Sequence, residues 1–159
     1  MTTILFVCTG NVCRSPMAAG FLKRIVHREG LDGRFKVLSA GTWSLQGEPA
    51  SLYARQVMAE RGIDISAHRA CDLTREAVEE ADLILVMSGN QKEIVERYFP
   101  ESRGKTYLLS EIVGKEKDIW DPYGGLLEPY RRCADELEGI LEEGYERIFD
   151  LTRPRPLRS

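Results

Sequence analysis

A cysteine and an arginine lie six positions apart near the start of the chain, in the run Cys8-Thr9-Gly10-Asn11-Val12-Cys13-Arg14-Ser15. An arginine guanidinium can bind two oxygens of a phosphate at once. A loop that enters a helix directs several backbone N–H groups towards one point, where the helix dipole also attracts an anion. These groups favour the nucleophilic thiolate form of Cys8. The run therefore predicts covalent catalysis of phosphoryl transfer at Cys8.

Other residues of this loop are suited to shaping it. Gly10 and Asn11 both tolerate left-handed backbone, which lets the chain curl around a small tetrahedral anion. The Ser15 hydroxyl can donate a hydrogen bond to the Cys8 sulfur. Ser15 is also a predicted N-cap, with Pro16 at the first helical position. The predicted substrate-binding loop is Thr9, Gly10, Asn11, Val12, Cys13, Arg14 and Ser15.

The elements that hold this loop follow from the apolar pattern of the chain. Short apolar runs predict strands at 3–8, 35–40, 82–87 and 106–109, and helical spacing predicts helices at 16–26, 52–61, 74–80, 90–98 and 127–151. This alternation predicts an α/β domain with a four-stranded parallel sheet and helices on both faces. Such sheets bind ligands at the carboxyl ends of their strands, where the Cys8 loop follows strand one. We assign residues 1–151 to one domain and 152–159 to a disordered basic tail.

Composition narrows the class of protein. The 159 residues are 43% hydrophobic and 30% charged, as in an ordinary globular domain. A net charge of −3 argues against a nucleic-acid binder, and no apolar run approaches the roughly 18 residues of a membrane span. The opening residues lack a secretory signal, so we expect a cytoplasmic protein with four reduced cysteines and no membrane partner.

The run from Val7 to Pro16 closely resembles the signature of the low-molecular-weight protein tyrosine phosphatases. The resemblance extends to Ser39-Ala40-Gly41-Thr42, His68-Arg69-Ala70 and Asp121-Pro122-Tyr123, and so covers essentially the whole domain. It implies a bacterial-type enzyme, near the protein-arginine phosphatase branch, that removes phosphate from phosphotyrosine in proteins. Implied with it are a phosphocysteine intermediate, inorganic phosphate as product, no cofactor or metal, and a monomer or weak homodimer.

The resemblance also implies a role for each matching residue. Cys8 is the implied nucleophile and Arg14 the phosphate clamp, while Asp121 protonates the leaving oxygen and then activates water. Pro122 favours extended loop backbone at Asp121, which suits an acid that must reach a separate site, although Asp-Pro-Tyr-Gly-Gly alone would indicate only a turn. Tyr123 is a candidate pocket wall that stacks on an aromatic substrate.

The remaining implied roles concern support of the loop and its redox chemistry. Asn11, Ser39 and His68 match a hydrogen-bond network that holds the loop, together with Ser15. Cys13 matches a cysteine that forms a reversible disulfide with Cys8, and Trp43 matches an aromatic residue at the pocket rim. Cys13 and His68 retain an alternative interpretation as ordinary buried side chains, and Trp120 is predicted to lie in the core.

Three other functions are less compatible with the same residues. A zinc site of Cys8, Cys13, His68 and Cys71 would place Arg14 beside the metal ligands, which is electrostatically unfavourable. Arsenate reduction needs relay cysteines that are absent from residues 72–132, and a non-catalytic phosphate-binding module would not need both a nucleophile and an acid. Within the phosphatase interpretation, phosphoarginine is the alternative substrate. Val12 has the shape of threonine without the hydroxyl, and so favours phosphotyrosine.

Overall fold

The computed structural model describes residues 1–153. Most of the predicted basic tail, residues 154–159, therefore lies outside the described residues. The prediction that residues 1–151 form a single folding unit remains a proposal, although all the helices and strands described below fall within that range.

Four parallel strands form one sheet, as the sequence predicts. They are β1 (Thr2–Cys8), β2 (Phe35–Gly41), β3 (Leu83–Val86) and β4 (Thr106–Leu108), in the spatial order β2-β1-β3-β4. All residues of β3 and all but the first of β1 are buried, because helices cover both faces of the sheet. The carboxyl end of the central strand β1 therefore opens at one edge of the sheet, and Cys8 is its last residue.

Five α-helices and two short 3-10 helices complete the domain. The α-helices are α1 (Arg14–Arg28), α2 (Leu52–Glu60), α3 (Arg75–Glu80), α4 (Gly89–Tyr98) and α5 (Leu127–Leu151), and the 3-10 helices span Pro100–Ser102 and Leu109–Val113. Helices α1, α2 and α5 pack on the sheet face that carries Ile4 and Phe6. Helices α3 and α4 pack on the face that carries Leu5 and Val7. The prediction of helices on both faces is confirmed.

The prediction that Ser15 caps α1 is wrong. The helix begins at Arg14, with Cys13 at the N-cap and no side-chain cap. Ser15 thus lies inside the first turn, where its buried hydroxyl contacts Cys8 and Asn11 instead of capping the helix. In the loop itself Asn11 alone is left-handed, with φ of 60°, whereas Gly10 does not take a positive φ. One left-handed residue is sufficient to turn this loop.

The prediction that Trp120 lies in the core is also wrong. Its side chain is 67% exposed, whereas that of Ile119 is 1% exposed. In extended chain, successive side chains point to opposite sides, so burial of Ile119 turns Trp120 outward. The backbone of Ile119 is fixed as well, because its N–H donates to the carbonyl of Met87 at the end of β3.

Glycine at two positions is explained by close packing. A Cβ on Gly144 of α5 would lie 2.6 Å from the Ile112 side chain. Glycine is unfavourable inside a helix, but here it allows Ile112 to pack closely against α5. A Cβ on Gly41 would lie 2.4 Å from the carbonyl oxygen of Thr9. Gly41 therefore lets the end of β2 lie directly against the Cys8 loop.

Candidate active site

The carbonyl groups of the loop after β1 are turned away from its centre. Backbone N–H groups of Thr42, Trp43, Leu45 and Ser51 donate to the carbonyls of Cys8, Thr9, Gly10 and Val12, at 2.9–3.0 Å. Because the loop's carbonyls are held on the outside, its N–H groups face the inside. Within residues 1–153, the backbone N–H groups of residues 10–13 have no protein acceptor. The loop is thus a cradle of free donors at the N-terminus of α1, which is the geometry that binds a tetrahedral anion.

Asn11 connects this cradle to the rest of the domain and is fully buried. Its side-chain amide donates to the hydroxyls of Ser15, at 2.8 Å, and Ser39, at 3.1 Å. Its side-chain oxygen accepts from the N–H of Cys71 at 3.0 Å, and its backbone carbonyl accepts from Nε2 of His68 at 2.7 Å. The sequence assigns Asn11, Ser15, Ser39 and His68 to loop support. In the structure the last three all form hydrogen bonds with Asn11.

Cys8 lies at the floor of the cradle, with its side chain 2% exposed. Its sulfur is 2.9 Å from the hydroxyl oxygen of Ser15. That oxygen already accepts from the Asn11 amide, so its own hydrogen is free to point at the sulfur. A hydrogen bond in this direction stabilises a thiolate at Cys8.

Arg14 extends from the first turn of α1 beneath the loop that carries Asp121. Its side chain is almost buried, and Nη1 donates to the carbonyl of Ile119 at 2.9 Å. Nη2 lies 3.4 Å from a carboxylate oxygen of Asp121, and the buried Nε has no hydrogen-bond partner among the described residues. A buried guanidinium with an unused donor can still bind an anion.

Asp121 lies on the loop between β4 and α5, and its side chain is 45% exposed. One carboxylate oxygen accepts from the N–H of Tyr123 at 3.0 Å, and the other faces Arg14. The loop is fixed to the end of β3 through Ile119, as described above, and to the start of α4 through Asp118, which accepts from the N–H of Gly89 at 2.9 Å. The carboxylate is therefore held at the mouth of the cradle.

A cavity of about 170 Å³ opens above Cys8. Besides the loop residues 8–14, it is lined by Trp43, Leu45, Asp121 and Tyr123. Trp43 and Tyr123 stand at its rim and are 81% and 59% exposed. The cavity thus has the cradle and Arg14 on one side and aromatic side chains at its rim.

Leu45 and Gln91 are site residues that the sequence analysis did not find. Leu45 lines the cavity from the segment after β2, in a position that only the tertiary fold defines. Gln91 of α4 is 1% exposed; its side chain accepts from the N–H of Met87 and donates to the Thr9 hydroxyl at 3.2 Å. A buried glutamine on a short helix gives no sequence signal of its contact with a distant loop.

Cys13 lies behind the cradle, in a pocket with Ser51 and Tyr130. Its sulfur is 3.3 Å from the Ser51 hydroxyl and 3.5 Å from the Tyr130 hydroxyl. Burial raises the pKa of Cys13 above its ordinary value, and burial together with the contact to Cys13 raises the pKa of Tyr130 to about 12. Cys13 is thus held as a neutral thiol, and all four cysteines are free.

The zinc alternative receives no support from the arrangement. Within residues 1–153, no three side chains of histidine, cysteine, aspartate or glutamate are placed to hold a metal ion. His68 is occupied by the Asn11 carbonyl, as described above. In the same part of the chain, no helix is both long enough and apolar enough to cross a membrane.

Comparison with known proteins gives one consistent family. The profile of the family described as low molecular weight phosphotyrosine protein phosphatase matches residues 3–149. A protein-arginine-phosphatase of Geobacillus stearothermophilus is 42% identical over 146 residues, which cover 91% of this chain and 95% of the relative. A probable low molecular weight protein-tyrosine-phosphatase of Ralstonia nicotianae is 42% identical over 146 residues, covering 92% and 95%.

Solved structures agree with the sequence relatives. The crystal structure of a low molecular weight protein tyrosine phosphatase from T. tengcongensis superposes with a TM-score of 0.87 at 42% identity, covering 92% of this chain and 99% of that one. The YwlE arginine phosphatase from Geobacillus stearothermophilus superposes with a TM-score of 0.85 at 39% identity, covering 94% of each chain. The same fold and a similar sequence therefore accompany two different substrates.

Proposed function

We propose a catalytic cycle from one premise: the chain belongs to the low molecular weight phosphotyrosine protein phosphatase family and is a phosphatase of phosphorylated proteins. In the proposed cycle, it removes phosphate from phosphotyrosine through a phosphocysteine at Cys8. One observation carries the proposal. The carbonyls of the loop are bonded outward, so that the N–H groups of residues 10–13 are free, and these residues line one cavity with Cys8 and Arg14.

The first step transfers the phosphoryl group to the enzyme. The Cys8 thiolate attacks phosphorus while the cradle N–H groups and Arg14 hold the three non-bridging oxygens. Protonated Asp121 gives its proton to the leaving phenolic oxygen. Its position 3.4 Å from Arg14 supports this role, because the oxygen that leaves must lie opposite Cys8, on the open side of the bound phosphate.

The second step returns the enzyme to its starting state. The Asp121 carboxylate takes a proton from water, which attacks the phosphocysteine on the side that the phenol has left. Inorganic phosphate is released and the Cys8 thiolate re-forms under the Ser15 hydroxyl. No cofactor is needed, because both steps use groups of this chain.

Trp43, Tyr123 and Val12 support the choice of phosphotyrosine. The Trp43 and Tyr123 side chains make the rim of the cavity aromatic. Val12, which is almost buried, presents an apolar wall to the first atoms beyond phosphorus. An aromatic ring fits that wall, whereas the N–H groups of a phosphoarginine would be left unpaired, at about 1–3 kcal/mol for each buried group. The arginine phosphatase relative at 42% identity makes phosphoarginine the second candidate.

The test compares kcat/KM for matched phosphotyrosine and phosphoarginine peptides. The parent enzyme is expected to prefer phosphotyrosine. Val12→Thr adds one hydroxyl of matching shape and should move the ratio towards phosphoarginine by about tenfold, with little change on p-nitrophenyl phosphate. A parent enzyme that prefers phosphoarginine would contradict the proposed substrate, and an unchanged ratio in Val12→Thr would remove Val12 from selectivity.

Localisation and assembly are part of the same proposal. We place the enzyme in the cytoplasm as a monomer or weak homodimer, with no nucleic-acid partner. The free state of all four cysteines is compatible with a reducing compartment.

A further inference from the structure

A second cavity adjoins the catalytic one on the side of helix α4. It has a volume of about 480 Å³ and shares Thr9 and Trp43 with the cavity above Cys8. Most of its wall is apolar, formed by Trp43, Leu73, Ile94, Tyr98 and Phe99, with Asn90 at the edge. We call it the α4 pocket.

The walls of the α4 pocket are exposed but fixed in place. Trp43 is 81% exposed and Tyr98 is 67% exposed, which leaves a large apolar surface beside the catalytic cavity. The helix that supplies Asn90, Ile94 and Tyr98 also supplies Gln91, whose side chain bonds to Thr9. Helix α4 is therefore linked to the cradle by a partly buried hydrogen bond, and Trp43 is linked to it by the bond from its N–H to the Thr9 carbonyl.

The opposite side of the catalytic cavity has a different chemistry. A cavity of about 460 Å³ there shares Val12, Leu45 and Tyr123 with the catalytic cavity, and it contains the charged residues Glu48 and Arg55. None of the described residues that line the α4 pocket carries a charge. A polypeptide that crosses the catalytic cavity thus meets an apolar wall on one side and charged side chains on the other.

We propose that the α4 pocket binds an apolar side chain of the substrate protein, aromatic or branched aliphatic, close in sequence to the phosphorylated residue. This inference rests on the proposed function, because it places the phosphoryl group above Cys8. An aromatic side chain can pack on Trp43 and Tyr98. A charged side chain there would lose hydration against a lining without charged residues, and the nearby Arg75, which lies over the Phe99 ring, is already paired with Glu101.

The reach of an extended chain sets the positions to be tested. Each residue spans about 3.3–3.6 Å, and the two cavities share a wall, so the side chain belongs to one of the three residues on either side of the phosphotyrosine. The experiment measures kcat/KM for phosphotyrosyl peptides in which each of these positions is in turn Phe, Leu, Ala or Glu. The expected result is a position where Phe or Leu exceeds Ala by about tenfold and Glu falls below it.

Two variants assign this preference to the α4 pocket. Tyr98→Ala removes an exposed wall and should abolish the preference while p-nitrophenyl phosphate turnover stays unchanged. Asn90→Asp puts a carboxylate in the exposed first turn of α4, where the helix dipole tolerates it, and should reduce the preference for Phe and favour Lys at the same position. Leu52→Ala is the matched control, because Leu52 is 65% exposed and lines the opposite cavity.

Equal kcat/KM for the Phe, Ala and Glu peptides at every position would overturn the proposal. A preference that persists in both Tyr98→Ala and Asn90→Asp, or that is lost in Leu52→Ala alone, would overturn it too. Failure of the proposed substrate gives a different result, in which phosphoarginyl peptides are hydrolysed and phosphotyrosyl peptides are not. The same scan on phosphoarginyl peptides then decides the role of the pocket, because the flanking side chain is independent of the phosphorylated one.

Discussion

Replacing Asn11 with alanine is the most informative change to the support of the cradle. The substitution removes three side-chain hydrogen bonds in a fully buried position, to Ser15, Ser39 and the N–H of Cys71. A hydrogen bond contributes about 0.5–1.5 kcal/mol net, so the loss of all three costs about 1.5–4.5 kcal/mol. Alanine at the φ of 60° observed for Asn11 adds about 1–2 kcal/mol.

These terms predict that Asn11→Ala lowers the free energy of unfolding by about 4 kcal/mol. A domain typically has about 5–15 kcal/mol of stability, so the variant should still fold. Asn11→Gly loses the same hydrogen bonds but accepts the left-handed backbone, and should be more stable than Asn11→Ala by about 1 kcal/mol. Urea unfolding of the parent and both variants, followed by circular dichroism, measures the differences.

The second readout is activity on p-nitrophenyl phosphate. Both variants should lose kcat/KM, because the Ser15 hydroxyl is no longer oriented towards Cys8. A loss of stability below about 1 kcal/mol in Asn11→Ala would refute the argument that these bonds hold the cradle. Equal stability of the alanine and glycine variants would refute the argument from backbone conformation.

Three further predictions concern Asp121, Cys13 and His68. Asp121→Asn should lose about 100-fold or more in kcat on phenyl phosphate but little on an aryl phosphate with a very acidic phenol; equal losses would mean that Asp121 only shapes its loop. Mild peroxide should inactivate the enzyme through a Cys8–Cys13 disulfide, which mass spectrometry can detect. After thiol is added, Cys13→Ser should recover less activity than the parent, and equal recovery would contradict a protective role of Cys13. Burial lowers the pKa of His68 below its ordinary value of 6.5, so the unfolded state binds more protons between the two pKa values and stability falls as pH drops below about 6.5. His68→Gln should lack this part of the pH dependence in urea unfolding, whereas His27→Gln, which alters an exposed histidine, should keep it; identical pH profiles for parent and His68→Gln would contradict it.

Patterns that act along the chain predicted most of the fold. Apolar runs such as Ile4 to Val7 are long enough to identify buried strands, and the strands and helices found in the structure all overlap predicted ones, apart from the two short 3-10 helices. The sequence predicts too late a start for α1, because Ser15 is a good N-cap residue whose hydroxyl is instead used inside the cradle. The sequence does not show which of the neighbouring apolar residues Ile119 and Trp120 is buried, and in the structure it is Ile119.

In the candidate site, the sequence predicts the residues that form a local motif and misses those that reach the site through the tertiary fold. The Cys8 loop and Asp121 were found from residue type, spacing and family resemblance. Leu45, Gln91, Ser51 and Tyr130 were not found, because each contacts the loop only after helices and strands far apart in sequence have packed. The polar side chains among them, those of Gln91, Ser51 and Tyr130, carry no periodic signal, because their positions depend on one partner and not on a face of a helix or strand.

Rapid acid quenching of the enzyme during turnover is the most direct test of the claim that Cys8 carries the phosphoryl group. The variant Asp121→Ala, mixed with an aryl phosphate whose phenol leaves without protonation, should accumulate the intermediate because water is no longer activated. Mass spectrometry of the digested protein should then find one added phosphoryl group on the peptide that contains Cys8, and none in Cys8→Ala, which has no nucleophile at this position and should also be inactive. A Cys8→Ala enzyme that still turns over substrate, or a phosphoryl group on any other residue of Asp121→Ala, would contradict the account.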